Sequence, residues 1–183
     1  MLNAALLARS LGIDVRTVNR YLDLLTELFL LRRLPPWHGN IGKRLIKSPK
    51  LYVRDSGILH ALLGIRDEET LLGHPVVGAS WEGFVVENVV TAAGPNAAAH
   101  FYRTAAGAEV DLVLQWPDRR WVVEVKRSLA PRVERGFHNA CQDLKPDRAF
   151  IVYPGGEQYS LGEGVEAIPL RPLLDLLRQA DTG

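Results

Sequence analysis

The chain has 183 residues, of which 47% are hydrophobic and 23% are charged, and its formal net charge is +1. This composition is typical of a folded globular protein and excludes extensive disorder, and no apolar run reaches the roughly 18 residues that a membrane span needs. The N-terminus lacks the pattern of a signal peptide and Cys141 is the one cysteine, so the sequence predicts a cytoplasmic protein without disulfides or a cysteine-rich zinc site.

The first predicted elements are two helices within Leu6–Leu31, separated by a turn at Gly12. Apolar residues recur at helical spacing on both sides of that glycine, and Asp14 can cap the second helix. This arrangement is typical of a helix-turn-helix, in which the start of the second helix enters the major groove of DNA. The side chains that would reach DNA are Arg16, Thr17, Asn19 and Arg20. An ordinary helical hairpin is the alternative.

A basic segment follows these helices. Residues 1–54 carry a net charge of +7 and residues 55–183 a net charge of −6. The stretch from Leu28 to Arg54 has no acidic residue. Its basic residues are Arg32, Arg33, Lys43, Arg44, Lys47, Lys50 and Arg54. Such a block attracts a polyanion, usually through phosphate groups, and the alternatives are a solvated face or a patch that docks against the acidic half of the same chain.

The same segment predicts a β-hairpin over Leu30–Val53. A first strand leads into a loop through Pro35-Pro36 and Gly39-Asn40, and a second strand lies near Lys50–Val53. Two helices followed by a basic hairpin indicate a winged helix. The further residues predicted to contact nucleic acid are Lys43, Arg44, Lys47 and Lys50.

Two domains are predicted. The first spans residues 1–75 and ends with a helix, Asp55–Leu63, and a linker, Arg66–Pro75. The second spans residues 76–183 and has the order α-β-β-β-α-β with a terminal β-α addition, so the predicted fold class is α/β (α+β). Its predicted elements are a helix through Trp81–Val89, strands His100–Thr104, Ala108–Trp116 and Trp121–Lys126, helix Pro131–Leu144, strands Ala149–Tyr153 and Val165–Leu170, and helix Arg171–Gln179.

Three charged side chains are predicted to converge in one hairpin of the second domain. A turn centred on Asp118-Arg119 places Asp111 opposite Lys126, with Glu124 on the diagonal. These three side chains then share one face, because side chains alternate along a strand, and the other face is apolar. Charges within such apolar strands are costly unless they are paired or bind a metal.

Two carboxylates at this separation can hold a divalent cation, so Asp111 and Glu124 are the predicted ligands of Mg²⁺ or Mn²⁺. The ion would offset their repulsion and help to form hydroxide from its bound water. Lys126 would hold that water or stabilise the negative charge that develops on a phosphate. Glu82, on the preceding helix, is a predicted supporting catalytic residue, and Glu109 ranks below it. The alternative is a solvent-facing strand with a cross-strand salt bridge.

Asp111 followed by Glu124-Val125-Lys126 resembles the PD-(D/E)XK signature of restriction-endonuclease-like nucleases, although Val110 stands where the signature has proline. The chain also resembles the C-terminal region, a domain of unknown function, of a group of bacterial and archaeal AAA-type ATPases. The strings that carry this second resemblance are Leu2-Asn3, Thr17-Val18, Tyr21-Leu22, Lys43-Arg44, Lys47–Tyr52, Asp55-Ser56-Gly57, Gly78, Trp81-Glu82, Phe84-Val85, Gly107–Asp111 and Glu124-Val125-Lys126. The resemblance implies a winged helix followed by a restriction-endonuclease-like domain, and an ATPase domain upstream in the usual family member.

The sequence does not predict an ATPase site in this chain. The nearest approach to a phosphate-binding loop, Gly39–Arg44, has its glycines too close together and an arginine where Ser or Thr would bind magnesium. DNA and an AAA-type ATPase acting in trans are therefore the expected partners. The expected function is metal-dependent hydrolysis of phosphodiester bonds in DNA. The alternatives are a non-catalytic module that docks on DNA or a partner with a relic nuclease fold, and a regulator in which only the winged helix acts.

Overall fold

The computed structural model describes residues 2–39 and 42–181, which form a mixed α/β protein with two β-sheets. The helices are α1 Ala4–Leu11, α2 Val15–Glu27, α3 Ser56–Leu62, α4 Glu68–Gly73, α5 Val77–Ala92, α6 Arg135–Leu144 and α7 Leu170–Asp181. The strands are β1 Leu31–Leu34, β2 Lys50–Val53, β3 Ala98–Arg103, β4 Glu109–Gln115, β5 Arg120–Val125, β6 Arg148–Tyr153, β7 Tyr159–Gly162 and β8 Val165–Pro169. None of the helices in this part of the chain is long and apolar enough to span a membrane.

Helices α1 and α2 begin at short polar side chains that accept hydrogen bonds from the first turn. Asn3 accepts from the Leu6 N–H and Asp14 accepts from the Thr17 N–H, so each residue caps a helix N-terminus. Gly12 ends α1 with a φ of 68°, a left-handed conformation that glycine adopts without a steric penalty. The two predicted helices and the turn between them are therefore present.

Strands β1 and β2 pair antiparallel and link the first helices to the larger sheet. Leu31 and Leu51 pack against a small cluster of α1 and α2, which consists of Ala8, Val18 and Leu22. Leu34 and Tyr52 pack instead into the main core, together with residues of the larger sheet. Because neighbouring residues of a strand point to opposite faces, this hairpin contacts both clusters at once.

Residues 35–39 and 42–49, from the segment that connects β1 and β2, lie along β3, an edge strand of the larger sheet. The Trp37 N–H donates to the Phe101 carbonyl at 2.6 Å, and the Ile46 N–H donates to the Arg103 carbonyl at 3.0 Å. These bonds cover a sheet edge that would otherwise present unpaired backbone groups. The loop predicted for the basic hairpin is therefore packed against the same chain, and Asn40 of that loop lies outside the described residues.

The larger sheet has the strand order β3-β4-β5-β6-β8-β7. Strand β4 is antiparallel to β3 and β5, β6 is parallel to β5 and β8, and β7 is antiparallel to β8. Leu112 and Leu114 of β4 pack with helices α5 and α7, whereas Val113 between them packs with α6. Helices therefore cover both faces of the sheet, and the middle strands are buried.

The predicted order α-β-β-β-α-β is present as α5-β3-β4-β5-α6-β6, with β8 and α7 as the terminal addition. The predicted linker Arg66–Pro75 is not a plain linker, because it contains helix α4. Asp67 caps that helix, and Glu68 and Glu69 occupy its first turn. Negative charge there interacts favourably with the helix dipole.

Two further predictions about the second half differ from the structure. Helix α6 begins at Arg135 and not at Pro131, because Glu134 has an extended backbone and forms an ion pair with Lys126. Strand β7 was not predicted. It is a short and mostly exposed edge strand, so its sequence lacks the apolar alternation that identifies a strand.

Candidate functional site

The predicted β4–β5 hairpin is present, with a register that differs by two residues from the prediction. Its turn is centred on Pro117-Asp118, one residue earlier than expected. The same register, extended by one residue, places Asp111 opposite Glu124 and not opposite Lys126. A shift of two residues preserves the alternation of side chains, so the two acids still share a face.

Two contacts hold the Asp111 carboxylate in a buried position. Its Oδ2 accepts a hydrogen bond from the Val125 N–H at 3.0 Å, which ties it to the neighbouring strand β5. Its Oδ1 accepts a hydrogen bond from the ammonium group of Lys50 at 2.6 Å. The Asp111 side chain is 11% exposed, so a ligand at this carboxylate meets a group that is already oriented and largely desolvated.

Lys50 lies among the carboxylates of Glu82, Glu109 and Asp111, which together are called the acidic cluster. It was predicted to belong to an exposed DNA-binding surface. Its Nζ is 2.6 Å from Asp111, 2.9 Å from Glu82 and 3.8 Å from Glu109. The side chain is 9% exposed. Burial alone would lower the pKa of Lys50, but the charges and hydrogen bonds of Asp111 and Glu82 outweigh it and raise the pKa above its usual value. Lys50 is therefore a buried cation among carboxylates.

Strand β2 also contributes Tyr52 to the site. The Tyr52 hydroxyl donates a hydrogen bond to Glu82 Oε1 at 2.6 Å, the same oxygen that accepts from Lys50. Burial and the nearby charge of Glu82 raise the pKa of Tyr52, so its hydroxyl stays protonated and acts as a donor. Lys50 and Tyr52 are two residues apart on one strand and so share a face. Together they orient Glu82 toward Asp111.

Glu124 is the second predicted metal ligand, and it has a free oxygen. Its Oε1 lies 3.1 Å from the Lys126 ammonium group. Its Oε2 is buried and has no hydrogen-bond partner among the described residues. Burial and the nearby charge of Asp111 raise the pKa of Glu124 to about 8, against the opposite effect of Lys126. A buried, unpaired carboxylate oxygen is costly and indicates a position for a cation or a donor.

Lys126 lies just beyond β5 and contacts two acids. Its Nζ is 3.1 Å from Glu124 and 3.0 Å from Glu134. Burial alone would lower the pKa of Lys126, but Glu124 and Glu134 outweigh it and raise the pKa. The Trp81 indole N–H donates to the Lys126 carbonyl at 3.2 Å, which ties helix α5 to this end of β5. Lys126 is therefore a charged hydrogen-bond donor beside Glu124.

The residues present fit a divalent ion as a pair of carboxylates. Asp111 and Glu124 are the neighbours of the paired residues Leu112 and Val123, and Glu124 Oε2 has no hydrogen-bond partner among the described residues. Carboxylate oxygens are the ligands that Mg²⁺ and Mn²⁺ prefer. Residues 2–39 and 42–181 contain no group of three or more His, Cys, Asp or Glu side chains arranged to hold a metal ion. Water and substrate oxygens would therefore supply most of the coordination shell, as is usual for Mg²⁺.

A cleft of about 430 Å³ opens beside the acidic cluster. Lys50, Tyr52 and Glu82 form one part of its lining, and Arg103 and Glu109 form another. Its walls come from β2, α5 and the β3–β4 pair, so it lies where the N-terminal hairpin meets the larger sheet. Glu82 and Glu109 are the two carboxylates that line this cleft, and Asp111 lies behind them, bonded to the lining residue Lys50.

Most of the basic block forms ion pairs within the chain. Arg32 and Arg54 pair with Glu87, Lys43 pairs with Asp143 at 2.5 Å, Lys50 pairs with Asp111, and Arg33 pairs with Asp23. All but the last of these partners belong to the acidic half of the sequence. Four residues of the basic block therefore dock against the acidic half of the same chain, which was one of the alternatives for this block. They are Arg32, Arg54, Lys43 and Lys50. Arg44 and Lys47 are exposed and form no salt bridge with any described residue.

The residues predicted to contact DNA from α2 lie in the N-terminal unit, a name used here for α1, α2, β1 and β2, and they form no salt bridge with the acidic cluster. Arg16, Asn19 and Arg20 are exposed. The Thr17 hydroxyl donates to Asp14 Oδ2 at 2.6 Å, so this side chain takes part in the helix cap. The structure does not bring these residues together with Asp111 and Glu124.

Sequence reasoning missed three contributors to the site. Lys50 was assigned to a different surface, and Tyr52 and Glu134 were not assigned to any site. The alternation of Lys50 and Tyr52 on a predicted strand does show that they share a face. Which partner that face meets depends on packing between distant segments, and no local pattern carries that information.

Comparison with known proteins identifies two domain families. A domain of unknown function (DUF8612) matches residues 1–69, and a domain of unknown function (DUF4143) matches residues 77–173. Two uncharacterized mycobacterial proteins, one from Mycobacterium bovis and one from Mycobacterium tuberculosis, are each 43% identical over 174 residues. The alignment covers 95% of this chain and 39% of each relative. No solved structure matches the sequence. Since the second match covers more than half of the 183 residues, the chain belongs to the DUF4143 family of domains of unknown function.

Proposed function

We propose that this protein is a metal-dependent nuclease-like protein of the PD-(D/E)XK type that hydrolyses phosphodiester bonds in DNA. The observation that carries this proposal is the juxtaposition of Asp111 and Glu124 on paired strands, with Lys126 next to Glu124. The buried Glu124 Oε2, which has no hydrogen-bond partner among the described residues, supports it, because a cation at that oxygen would offset the cost of its burial.

Each residue has a role in this proposal. Asp111 and Glu124 hold Mg²⁺ or Mn²⁺, which when bound supplies a Lewis acid and an acidified water. Lys126 stays protonated at neutral pH, so it donates a hydrogen bond to the attacking water or to a phosphate oxygen and does not act as a base. Glu82, held by Tyr52, orients water at the rim of the cleft.

The proposed nucleic-acid surface is the basic part that remains exposed. The order α1-α2-β1-β2 supports our proposal of a winged helix, and α2 presents Arg16, Asn19 and Arg20 to solvent. Arg44 and Lys47 add exposed charge on the segment that connects β1 and β2. We use the name basic surface for these five residues. The charges of its three arginines and one lysine attract phosphate groups at long range.

The decisive experiment is a plasmid-nicking assay with the full chain in Mg²⁺ or Mn²⁺. Metal-dependent nicking is expected, and Asp111→Asn should abolish it while keeping an acceptor for the Val125 N–H. Asp118→Asn is the matched control, because Asp118 lies in the exposed hairpin turn. The proposal fails if the wild-type protein cuts no form of DNA, or if Asp111→Asn cuts as well as wild type.

A second candidate function is a non-catalytic module that docks on a partner such as an AAA-type ATPase. The specific observation in its favour is Lys50, which already neutralises Asp111 and Glu82. Calorimetry with Mn²⁺ separates the two candidates. Binding that requires both Asp111 and Glu124 favours the nuclease. Absence of metal binding, together with ATPase binding that survives Asp111→Asn, favours the module.

A further inference from the structure

The buried ammonium group of Lys50 comes from a different part of the chain than the carboxylates that surround it. Lys50 is the first residue of β2, which pairs with β1 in a sheet separate from the large one. Its partners Glu109 and Asp111 lie on β4, and Glu82 lies on α5. The N-terminal unit therefore places the ammonium group of Lys50 inside the acidic cluster.

Lys50 and the proposed metal ion share one ligand, the carboxylate of Asp111. The Lys50 ammonium group donates hydrogen bonds to Asp111 Oδ1 at 2.6 Å and to Glu82 Oε1 at 2.9 Å. Asp111 Oδ2 is already bonded to the Val125 N–H, so Oδ1 is the Asp111 oxygen that faces the cluster. A divalent ion held by Asp111 and Glu124 would thus share this oxygen with the ammonium group of Lys50. Two positive charges that contact the same oxygen repel each other strongly.

We propose that Lys50 holds the cation position of this site and competes with the divalent ion, so that metal enters fully only when β2 withdraws. The inference rests on the proposed function only for the identity of the metal ligands. It assigns regulation of the site to the N-terminal unit: any ligand of that unit that shifts β2 changes the affinity of the site for metal. By linkage, metal binding shifts β2 to the same extent.

The connections of β2 to the rest of the protein are suited to such coupling. It has backbone pairing with β1 but none with the six-stranded sheet. Its polar links to α5 and β4 run through Lys50, through Tyr52 to Glu82, and through the neighbouring Arg54 to Glu87. Side-chain links of this kind can exchange partners without unfolding either sheet.

Calorimetric titration of Mn²⁺ into wild type, Lys50→Met and Lys145→Met tests the proposal. Lys50→Met keeps the length of the side chain and removes the charge, so it should bind Mn²⁺ at least about tenfold more tightly than wild type, because removing a unit charge a few ångströms away has at least that effect. Lys145→Met removes a charge from an exposed position outside every proposed site and should match wild type. Equal affinity of Lys50→Met and wild type, or no binding to either, overturns the proposal.

A second measurement uses wild-type protein and does not depend on the folding of a variant. Amine-reactive labelling followed by mass spectrometry should show Lys50 protected in a chelator, and its labelling should rise severalfold at millimolar Mn²⁺. Lys145, which is exposed, is the internal control. Unchanged protection of Lys50 at millimolar Mn²⁺ overturns the proposal.

The two proposals fail in distinguishable ways. Tighter Mn²⁺ binding by Lys50→Met without any DNA cleavage supports the competition and contradicts the nuclease. Metal-dependent cleavage by wild type with no gain in affinity for Lys50→Met supports the nuclease and contradicts the competition.

Discussion

Arg32 on β1 donates two hydrogen bonds, of 2.5 and 3.0 Å, to the two carboxylate oxygens of Glu87 on α5. Arg54 donates to the same carboxylate at 2.7 Å. A bidentate pair of this kind is stronger and more specific than a single contact. Two cations of the basic block thus join the N-terminal hairpin to the helix that carries Glu82.

Replacing Glu87 with Gln should destabilise the fold by roughly 1–3 kcal/mol, because two partly buried arginines lose their counter-charge. Burial alone would raise the pKa of Glu87, but Arg32 and Arg54 outweigh it and lower the pKa. The contribution is therefore complete above the usual carboxyl pKa and is lost as the pH falls through the lowered value. Urea denaturation of both proteins across the acid range measures this.

Glu157→Gln, at an exposed position, is the control for that experiment and should stay within about 0.5 kcal/mol of wild type. A Glu87→Gln protein as stable as the control near neutral pH would show that this carboxylate does not hold the two units together.

Two helical glycines should respond in opposite ways to substitution by alanine. A Cβ at Gly136 in α6 would lie 2.8 Å from the Gly107 carbonyl oxygen, whereas a Cβ at Gly78 in α5 would meet nothing within 4 Å. Gly136→Ala should therefore cost roughly 1–3 kcal/mol, and Gly78→Ala should stabilise by about 0.5–1 kcal/mol because alanine is the better helix former. Thermal denaturation of the two variants tests this expectation. Equal melting temperatures would contradict the close approach of α6 to the turn before β4.

The thiol of Cys141 should react slowly with alkylating agents. Burial, with a smaller contribution from the charge of Glu124, raises the pKa of Cys141 to about 11, and the thiolate is the reactive form. The rate should keep increasing with pH well beyond the usual thiol pKa, and denaturation in urea should accelerate it near neutral pH. Because the chain has one cysteine, a colorimetric thiol assay reads this residue alone. A native rate as high as the denatured rate would contradict the burial.

Arg44 and Lys47 should account for part of the salt dependence of DNA binding. If both contact phosphates, the double variant Arg44→Gln, Lys47→Gln should reduce the slope of log affinity against log salt by about 0.9 per contact. Fluorescence anisotropy with a labelled duplex measures the slope. Arg171→Gln, on the exposed part of α7, should leave it unchanged. An unaltered slope in the double variant would remove these residues from the basic surface.

The sequence by itself determined most of the local elements, though not α4 or β7, and the shared face of Asp111 and Glu124. Helix caps, the left-handed Gly12 and strand alternation act over a few residues, so their signals are present in short strings. The register was predicted with an error of two residues. Because this shift is even, each side chain still lies on the predicted face of the sheet.

Only the tertiary structure decided that Lys50 leaves the basic block and enters the acidic cluster. That contact joins residues 61 positions apart, and it depends on how the β1–β2 hairpin docks between α5 and β4. A lysine on a short strand has the same local pattern whether it faces solvent or a carboxylate. The difference is the free energy of burying its charge beside Asp111 and Glu82, which exists only after the segments have packed together.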